Sequence, residues 1–354
     1  MIATWLSQIG AIVRLEMRKT FFAKRGLWVY LLALGPAALY MGHSLVQLHT
    51  YRNWQQMAAA HKAAPEYLRS LQSGATLQEV EASAGEPYYA ITFHRPRRTE
   101  DYRNYTDGST DFRLFFVDGA LRRVFRRTQD TISEDSLIFA TVFQFFYLRL
   151  AVFFGCVGIF VNLFRGELLD KSLHFYLLAP VRREVLLAGK YLAGLIATVV
   201  IFTTSTGLQM LAMSWHFERA AISEYLSGPG WQHAAAYVGV TALACLGYGS
   251  VFLAAGLLYR NPIIPAALVL VWEAANIFLP TALKKLSIIF YLQSLCPVVA
   301  PPGQDMPPPV RLLISSAEPV SAPVAILGLM AVTAVILVVA ARQARRLEIN
   351  YGTE

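Results

Sequence analysis

The most regular feature of the chain is a series of long apolar stretches separated by shorter polar segments. A helix that crosses a bilayer needs about 20 mostly apolar residues, because its backbone polar groups must be satisfied without water. The pattern therefore predicts an all-α polytopic membrane protein with six membrane-spanning helices. The predicted spans are residues 27–47, 137–164, 191–213, 233–259, 262–283 and 323–341.

Residues 1–26, before the first span, have a different pattern. Apolar residues recur at helical spacing, while Arg14, Arg18 and Lys19 lie largely on the opposite side. This amphipathic arrangement predicts a helix that lies in the cytoplasmic membrane interface. An ordinary basic flank that happens to be helical is the alternative.

Residues 48–136 form the longest polar interruption and carry twelve Lys or Arg residues. A helical pattern covers Tyr51 to Leu71, and Phe112–Val117 followed by Asp118-Gly119 indicates a strand that enters a tight turn. These signals predict a small α+β extracytoplasmic domain between spans one and two. Its arginines at positions 122, 123, 126 and 127 could contact lipid headgroups or an acidic cargo, although a solvated face is the simpler interpretation.

Composition and charge support the membrane interpretation and give it an orientation. Apolar residues make up 55% of the chain and charged residues only 15%. Fourteen Lys or Arg residues lie on the side of both termini, against four in the short connections on the opposite side. This bias predicts cytoplasmic termini, with residues 342–354 as a cytoplasmic tail. The net charge of +8 then reflects contact with membrane lipid and not with nucleic acid.

The usual enzymatic motifs are missing from the sequence. There is no HExxH or GxSxG motif, and the stretch nearest to a phosphate-binding loop has Arg165 and Asp170 where glycines are required. The three cysteines have no paired metal-ligand spacing. We therefore expect no catalytic site, metal site or cofactor in this chain.

Among the few ionisable residues within the predicted spans two stand out, because burying a charge there is costly. Arg149 and Glu273 lie at similar predicted depths in the outer half of the bilayer, so they could pair near a translocation path. Alternatively, Arg149 extends to the outer surface and Glu273 faces a wet cavity. After span five, Leu286 to Leu295 is apolar but too short to cross, which predicts a re-entrant or interfacial helix.

The cytoplasmic loop 165–190 between spans two and three is charged at both ends and apolar at its centre. An apolar helix exposed to water needs a partner surface, either lipid or protein. The loop resembles that of the permease subunits of the type-2 ABC transporter family. The matching positions are Glu167, a coupling helix around Ser172 to Leu178, Pro180 with Arg182 and Arg183, and Gly189-Lys190. The large segment after span one is similar to a subgroup that includes sodium and drug exporters.

The resemblance implies the permease subunit of an exporter located in the bacterial inner membrane. Two such chains, identical or different, would form a dimer, each docked on a separate cytoplasmic ABC ATPase that binds ATP and Mg. The residues implied in ATPase coupling are Glu167, Ser172, Leu173, Phe175, Tyr176, Leu177, Pro180, Arg182 and Arg183. The alternatives are an ion-coupled secondary carrier, a membrane-bound enzyme, or a scaffold that transmits ATPase motion without moving cargo.

Overall fold

The computed structural model of the chain describes residues 2–22, 26–61, 63–169, 181–259, 261–298 and 320–345. The chain is mostly helical and contains a small four-stranded antiparallel sheet. Its residues divide into two compact units. The helical unit comprises residues 1–40, 136–213 and 219–354, and the sheet unit comprises residues 41–135 and 214–218.

The secondary-structure elements begin with two long helices and end with an apolar one. In chain order they are α1 (Ile2–Phe22), α2 (Leu27–Ala60), α3 (Pro65–Ser70), α4 (Leu77–Ala84), β1 (Tyr89–Arg95), β2 (Arg98–Thr106), β3 (Thr110–Val117), β4 (Ala120–Thr128), α5 (Ile132–Val142), a π-helical segment (Phe143–Val152), α6 (Phe153–Leu169), α7 (Arg183–Ser214), α8 (Arg219–Tyr225), a second π segment (Leu226–Gly230), α9 (Trp231–Leu258), α10 (Ile263–Ala275), a 3₁₀ turn (Asn276–Phe278), α11 (Thr281–Lys284), α12 (Ile288–Ser294) and α13 (Ala322–Arg345).

Among the described residues, five helices are long and apolar enough to cross a membrane. They are Leu27–Ala60, Ile132–Phe164, Arg183–Ser214, Arg219–Leu258 and Ala322–Arg345. These helices identify the chain as a helical membrane protein and agree with five of the six predicted spans. Helix α1 agrees with the helix predicted within residues 1–26, and its placement at a membrane surface stays a prediction.

The fifth predicted span, residues 262–283, is not found as one continuous helix. Helix α10 has 13 residues and passes into a short 3₁₀ turn. The chain then becomes extended at Leu279, because a residue before proline is disfavoured in the helical region and Pro280 follows. The apolar run that predicted a crossing therefore consists of two short helices, α10 and α11.

Other boundaries differ from the prediction because helices continue past the apolar stretches that identified them. Helix α2 extends to Ala60, beyond the predicted end at residue 47, and α6 continues to Leu169. Helix α7 begins at Arg183, eight residues before the predicted start of span three. Residues 165–169 and 183–190 of the predicted loop 165–190 are therefore helical.

Small residues permit close helix packing in the helical unit. A Cβ added at Gly249 of α9 would lie 2.4 Å from the Phe160 ring of α6, and one at Gly256 would lie 3.1 Å from the Val161 backbone. Glycines let helix backbones approach in this way where apolar lipid provides no hydrophobic driving force for association. Helices α6 and α9 therefore approach each other closely at these glycines.

The sheet unit is an antiparallel meander in the order β1-β2-β3-β4, with α3 and α4 packed on one face. Alternation along β3 buries Phe112, Leu114 and Phe116 against these helices. The β3–β4 hairpin turns at Asp118 and Gly119, whose φ angles are 51° and 78°. Two positive φ values suit the right-handed twist of a two-residue hairpin. The predicted strand and tight turn are confirmed.

Asp107 organises the β2–β3 turn. Its Oδ1 accepts hydrogen bonds from the backbone amides of Ser109, at 2.9 Å, and Thr110, at 2.6 Å, and its Oδ2 accepts from Arg69 at 2.7 Å. Burial alone would raise the pKa of the Asp107 carboxyl, but these hydrogen bonds outweigh it and hold the pKa below its ordinary value.

Asp107→Asn should weaken the sheet, because an amide oxygen is a poorer acceptor for these donors; we expect a loss of about 1–2 kcal/mol at pH 7. The lowered pKa makes the stabilisation complete above about pH 4 and lost as pH falls through the folded-state pKa. Hydrogen–deuterium exchange in β2 and β3, compared between wild type and variant at each pH, measures this difference. The exposed Glu86→Gln change is the control, and a wild-type advantage that persists undiminished at pH 2 would contradict the assignment.

Candidate functional site

A buried ion pair connects α1 to the beginning of α7. The Lys190 side chain is fully buried, and its ammonium donates to Glu16 Oε1 at 2.8 Å and to the Leu163 carbonyl of α6 at 2.7 Å. The ammonium also lies 5.3 Å from the centre of the Phe164 ring. These contacts join three helices of the helical unit at one lysine.

Gly189 permits the close approach that this pair requires. A Cβ at this position would lie 2.8 Å from Ile12 Cγ2, and Ile12 is itself buried. Any larger residue would push α1 away from α7. The Gly189-Lys190 dipeptide, which matches the resembling family, therefore has a direct structural role. Gly189 leaves space for α1, and Lys190 bonds α1 through Glu16.

Residues at the C-terminal end of the predicted coupling loop contact the ends of two other helices. The Arg182 guanidinium lies 5.0 Å from the centre of the Trp5 ring, and Arg183 donates to the Arg345 carbonyl at 2.7 Å. Glu184 also forms an ion pair with Arg345. Glu167 lies in the last turn of α6. The other predicted coupling residues, Ser172, Leu173, Phe175, Tyr176, Leu177 and Pro180, lie outside the described residues.

Replacing Lys190 by Met should destabilise the purified chain by about 3–5 kcal/mol, because Glu16 would remain buried without its counter-charge. The double change Glu16→Leu, Lys190→Met should recover most of that loss. Thermal unfolding in detergent measures both effects, with the exposed Arg14→Met change on α1 as control. A double variant as unstable as the two single losses added together would show that the pair contributes no coupling.

Glu273 of α10 holds the beginning of α12. Its carboxylate accepts hydrogen bonds from the Ser287 hydroxyl at 2.8 Å and from the amides of Ile288, at 3.0 Å, and Ile289, at 2.9 Å. The Tyr248 hydroxyl approaches the same carboxylate at 3.4 Å. The first amides of a helix have no intrahelical acceptor, so a carboxylate satisfies them and complements the helix dipole. These hydrogen bonds therefore compensate for the burial of the Glu273 carboxylate.

Arg149 lies beside Glu273 but contacts its backbone. Its Nη1 donates to the Glu273 carbonyl at 3.2 Å, and its guanidinium lies 5.5 Å from the centre of the Phe145 ring. Both residues are described, and their charged groups form no ion pair within 4 Å. The two residues lie close together as predicted, but Arg149 contacts the Glu273 backbone and the amides of α12 bind the carboxylate. A role in a translocation path stays a prediction for both residues.

Glu273→Leu should expose the amides of α12 to exchange and lower stability by about 3 kcal/mol, because buried donors would lose their acceptor. Glu273→Gln keeps one acceptor oxygen and should cost less. Hydrogen–deuterium exchange of residues 286–295 measures the local effect, and thermal unfolding the global one. Glu224→Leu, at an exposed position of α8, is the control. Unchanged exchange at Ile288 and Ile289 would rule out the cap.

The open face of the sheet contains a groove of about 790 Å³ lined by aromatic and arginine side chains. Of the arginines at positions 122, 123, 126 and 127, two donate hydrogen bonds through their guanidinium groups. Arg126 donates to the Leu71 carbonyl at 2.7 Å, and Arg127 donates to Gln47 Oε1 at 3.3 Å. This face is therefore only partly a solvated cationic surface.

Glu16 was missed in the sequence analysis, although it is the only acidic residue in α1 and lies one turn from Ile12. An isolated acid in a basic amphipathic helix is a signal for a buried counter-charge. No protein-family model, curated protein or solved structure matches the chain. The functional interpretation therefore depends on the residues themselves.

Proposed function

We propose that this chain is the permease subunit of an ATP-binding-cassette exporter, driven by ATP that a separate cytoplasmic subunit hydrolyses. The observation that carries the proposal is the bonding of α1 to α7 through Lys190, Glu16 and Gly189. This junction lies at the C-terminal end of loop 165–190, whose sequence resembles that of a coupling loop. The junction would transmit a displacement of that loop to α1.

In this proposal the apolar segment 172–178 docks in a groove of the ATPase, as amphipathic helices dock on protein partners. The segment is joined to α6 on one side and to α7 on the other. A displacement of the loop would act on both helices, and through Lys190 also on α1. ATP binding and hydrolysis would thereby alternate the spans between inward-open and outward-open states.

The proposed assembly contains two permease chains and two ATPase subunits, with Mg and ATP bound only by the ATPases. It places the chain in a bacterial inner membrane with both termini in the cytoplasm, and residues 48–136 on the opposite side. The five long apolar helices support a multi-pass membrane protein. The direction proposed is export, which is usual for the resembling family.

An ion-coupled carrier is less well supported. Such carriers bind substrate and ions near the bilayer midplane, often at interrupted helices with ionisable side chains. Glu273 is the carboxylate considered for that role, and its oxygens already accept hydrogen bonds from α12. A scaffold that moves no cargo would use the same coupling loop, so measurement of cargo flux separates it from an exporter.

Phe175→Ala and Tyr176→Ala should leave the chain folded in the membrane but weaken ATPase association. Loss of a central aromatic anchor typically costs about 2 kcal/mol or more, roughly thirtyfold in affinity. Pull-down with the co-expressed ATPase measures the effect, and Leu195→Ala in α7 is the control of similar apolar loss. Full ATPase retention and normal transport by both aromatic variants would overturn the proposed coupling.

A further inference from the structure

Four potential metal ligands converge within the sheet unit, apart from the residues already discussed. They come from three segments: His43 from α2, Asp130 and Asp135 from the chain at the start of α5, and His216 from the connection between α7 and α8. Ligand atoms of His43, Asp130 and Asp135 all lie within 4.8 Å of one another. His216 Nε2 lies 3.6 Å from Asp135 Oδ2, and His43 Nε2 lies 4.0 Å from the same oxygen.

Asp135 is the unusual member of this group. Its side chain is 2% exposed, yet neither carboxylate oxygen accepts a hydrogen bond from any residue that the structure describes. Burying a carboxylate without hydrogen bonds is costly. The group therefore needs a compensating charge that the surrounding hydrogen bonds do not supply.

The distances from Asp135 to the two histidine nitrogens fit two ligands of one ion better than they fit hydrogen bonds. Direct bonds between nitrogen and oxygen are about 2.7–3.2 Å long, shorter than either separation here. Two ligands at about 2.1 Å from a tetrahedral zinc ion lie about 3.4 Å apart. The 3.6 Å between His216 Nε2 and Asp135 Oδ2 is near this value. A small movement of the partly exposed His43 would shorten its 4.0 Å distance to the same oxygen to a similar value.

Outer contacts already orient these side chains. Gln47 donates to Asp130 Oδ2 at 2.6 Å, and the Tyr51 hydroxyl accepts from the Asp130 amide at 2.8 Å. Ser44 Oγ lies 3.1 Å from His216 Nδ1. If Nδ1 carries the proton and donates to Ser44, the lone pair of Nε2 faces Asp135. Such contacts orient metal-bound histidines and carboxylates and fix the histidine tautomer.

Local structure also fixes where Asp135 lies. Thr131 and Glu134 form a reciprocal cap, in which the Glu134 carboxylate accepts from the Thr131 amide at 2.8 Å and the Thr131 hydroxyl accepts from the Glu134 amide at 3.3 Å. This cap sets the first turn of α5 and places Asp135 on its buried side. The ligand position is therefore held by the backbone of the helix.

We propose that His43, Asp130 and Asp135 bind one divalent zinc ion, and that His216, which approaches Asp135, moves in as the fourth ligand. Two imidazoles with two carboxylates suit zinc, whereas magnesium and calcium prefer an all-oxygen shell. The double positive charge would balance the two carboxylates. The ion would join α2, the beginning of α5 and the connection after α7, three segments that are far apart in the sequence.

The test uses the full-length chain in detergent, purified with a histidine-free tag and stripped with a chelator. Calorimetric titration with zinc should give one site per chain, and zinc should raise the unfolding temperature, because an ion that binds only the folded state stabilises it. Magnesium and calcium at the same concentration should do neither. A wild-type chain that binds no zinc would overturn the proposal.

Asp135→Asn and His43→Ala should each weaken zinc binding at least tenfold, since loss of an outer contact alone costs about 10- to 100-fold. The matched control is His49→Ala, an exposed histidine on the same helix, and it should bind as wild type does. Zinc affinity unchanged in Asp135→Asn would overturn the assignment.

X-ray absorption at the zinc edge of the wild-type chain gives an answer even where a variant fails to fold. A shell of nitrogen and oxygen at about 2.0–2.2 Å with imidazole scattering is expected. Sulfur scattering at about 2.3 Å would place the ion at the cysteines and overturn the site.

Discussion

A charge removed from water must be compensated where it is buried, and the structure of the helical unit depends on how Lys190 meets this requirement. Its ammonium reaches an opposite charge on α1 and a backbone carbonyl on α6, beside an aromatic ring. Removing the Glu16 carboxylate would leave the buried ammonium without its counter-charge. The position of α1 is therefore fixed by electrostatics, and Gly189 makes the fit possible.

Other buried charges show different solutions to the same constraint. Glu273 is satisfied by the unpaired amides at the start of a short helix, so its cost is met by local backbone structure. Asp135 has no such hydrogen bonds among the described residues and instead faces two imidazole nitrogens. The first arrangement stabilises a fold, and the second leaves capacity for a cation.

These arrangements bear on function because they determine which parts of the chain can move independently. Lys190 of α7 bonds both Glu16 of α1 and the Leu163 carbonyl of α6, so a displacement of α7 would act on all three helices. The proposed permease function would use this connection to transmit motion from the coupling loop. The carboxylate first considered for transport is, in contrast, committed to holding α12.

The sequence by itself determined the features that depend on local pattern: the long apolar helices, the amphipathic α1 and the hairpin turn at Asp118-Gly119. Periodicity and turn chemistry act over a few residues, so they can be read directly. Only the tertiary structure decided that Glu16 meets Lys190, 174 positions away, that α12 occupies Glu273, and that His43 and His216 approach one carboxylate. It also divided the apolar run 262–283 into two short helices. Side chains far apart in sequence become partners only through packing, and no local pattern specifies which of many polar residues will be buried together.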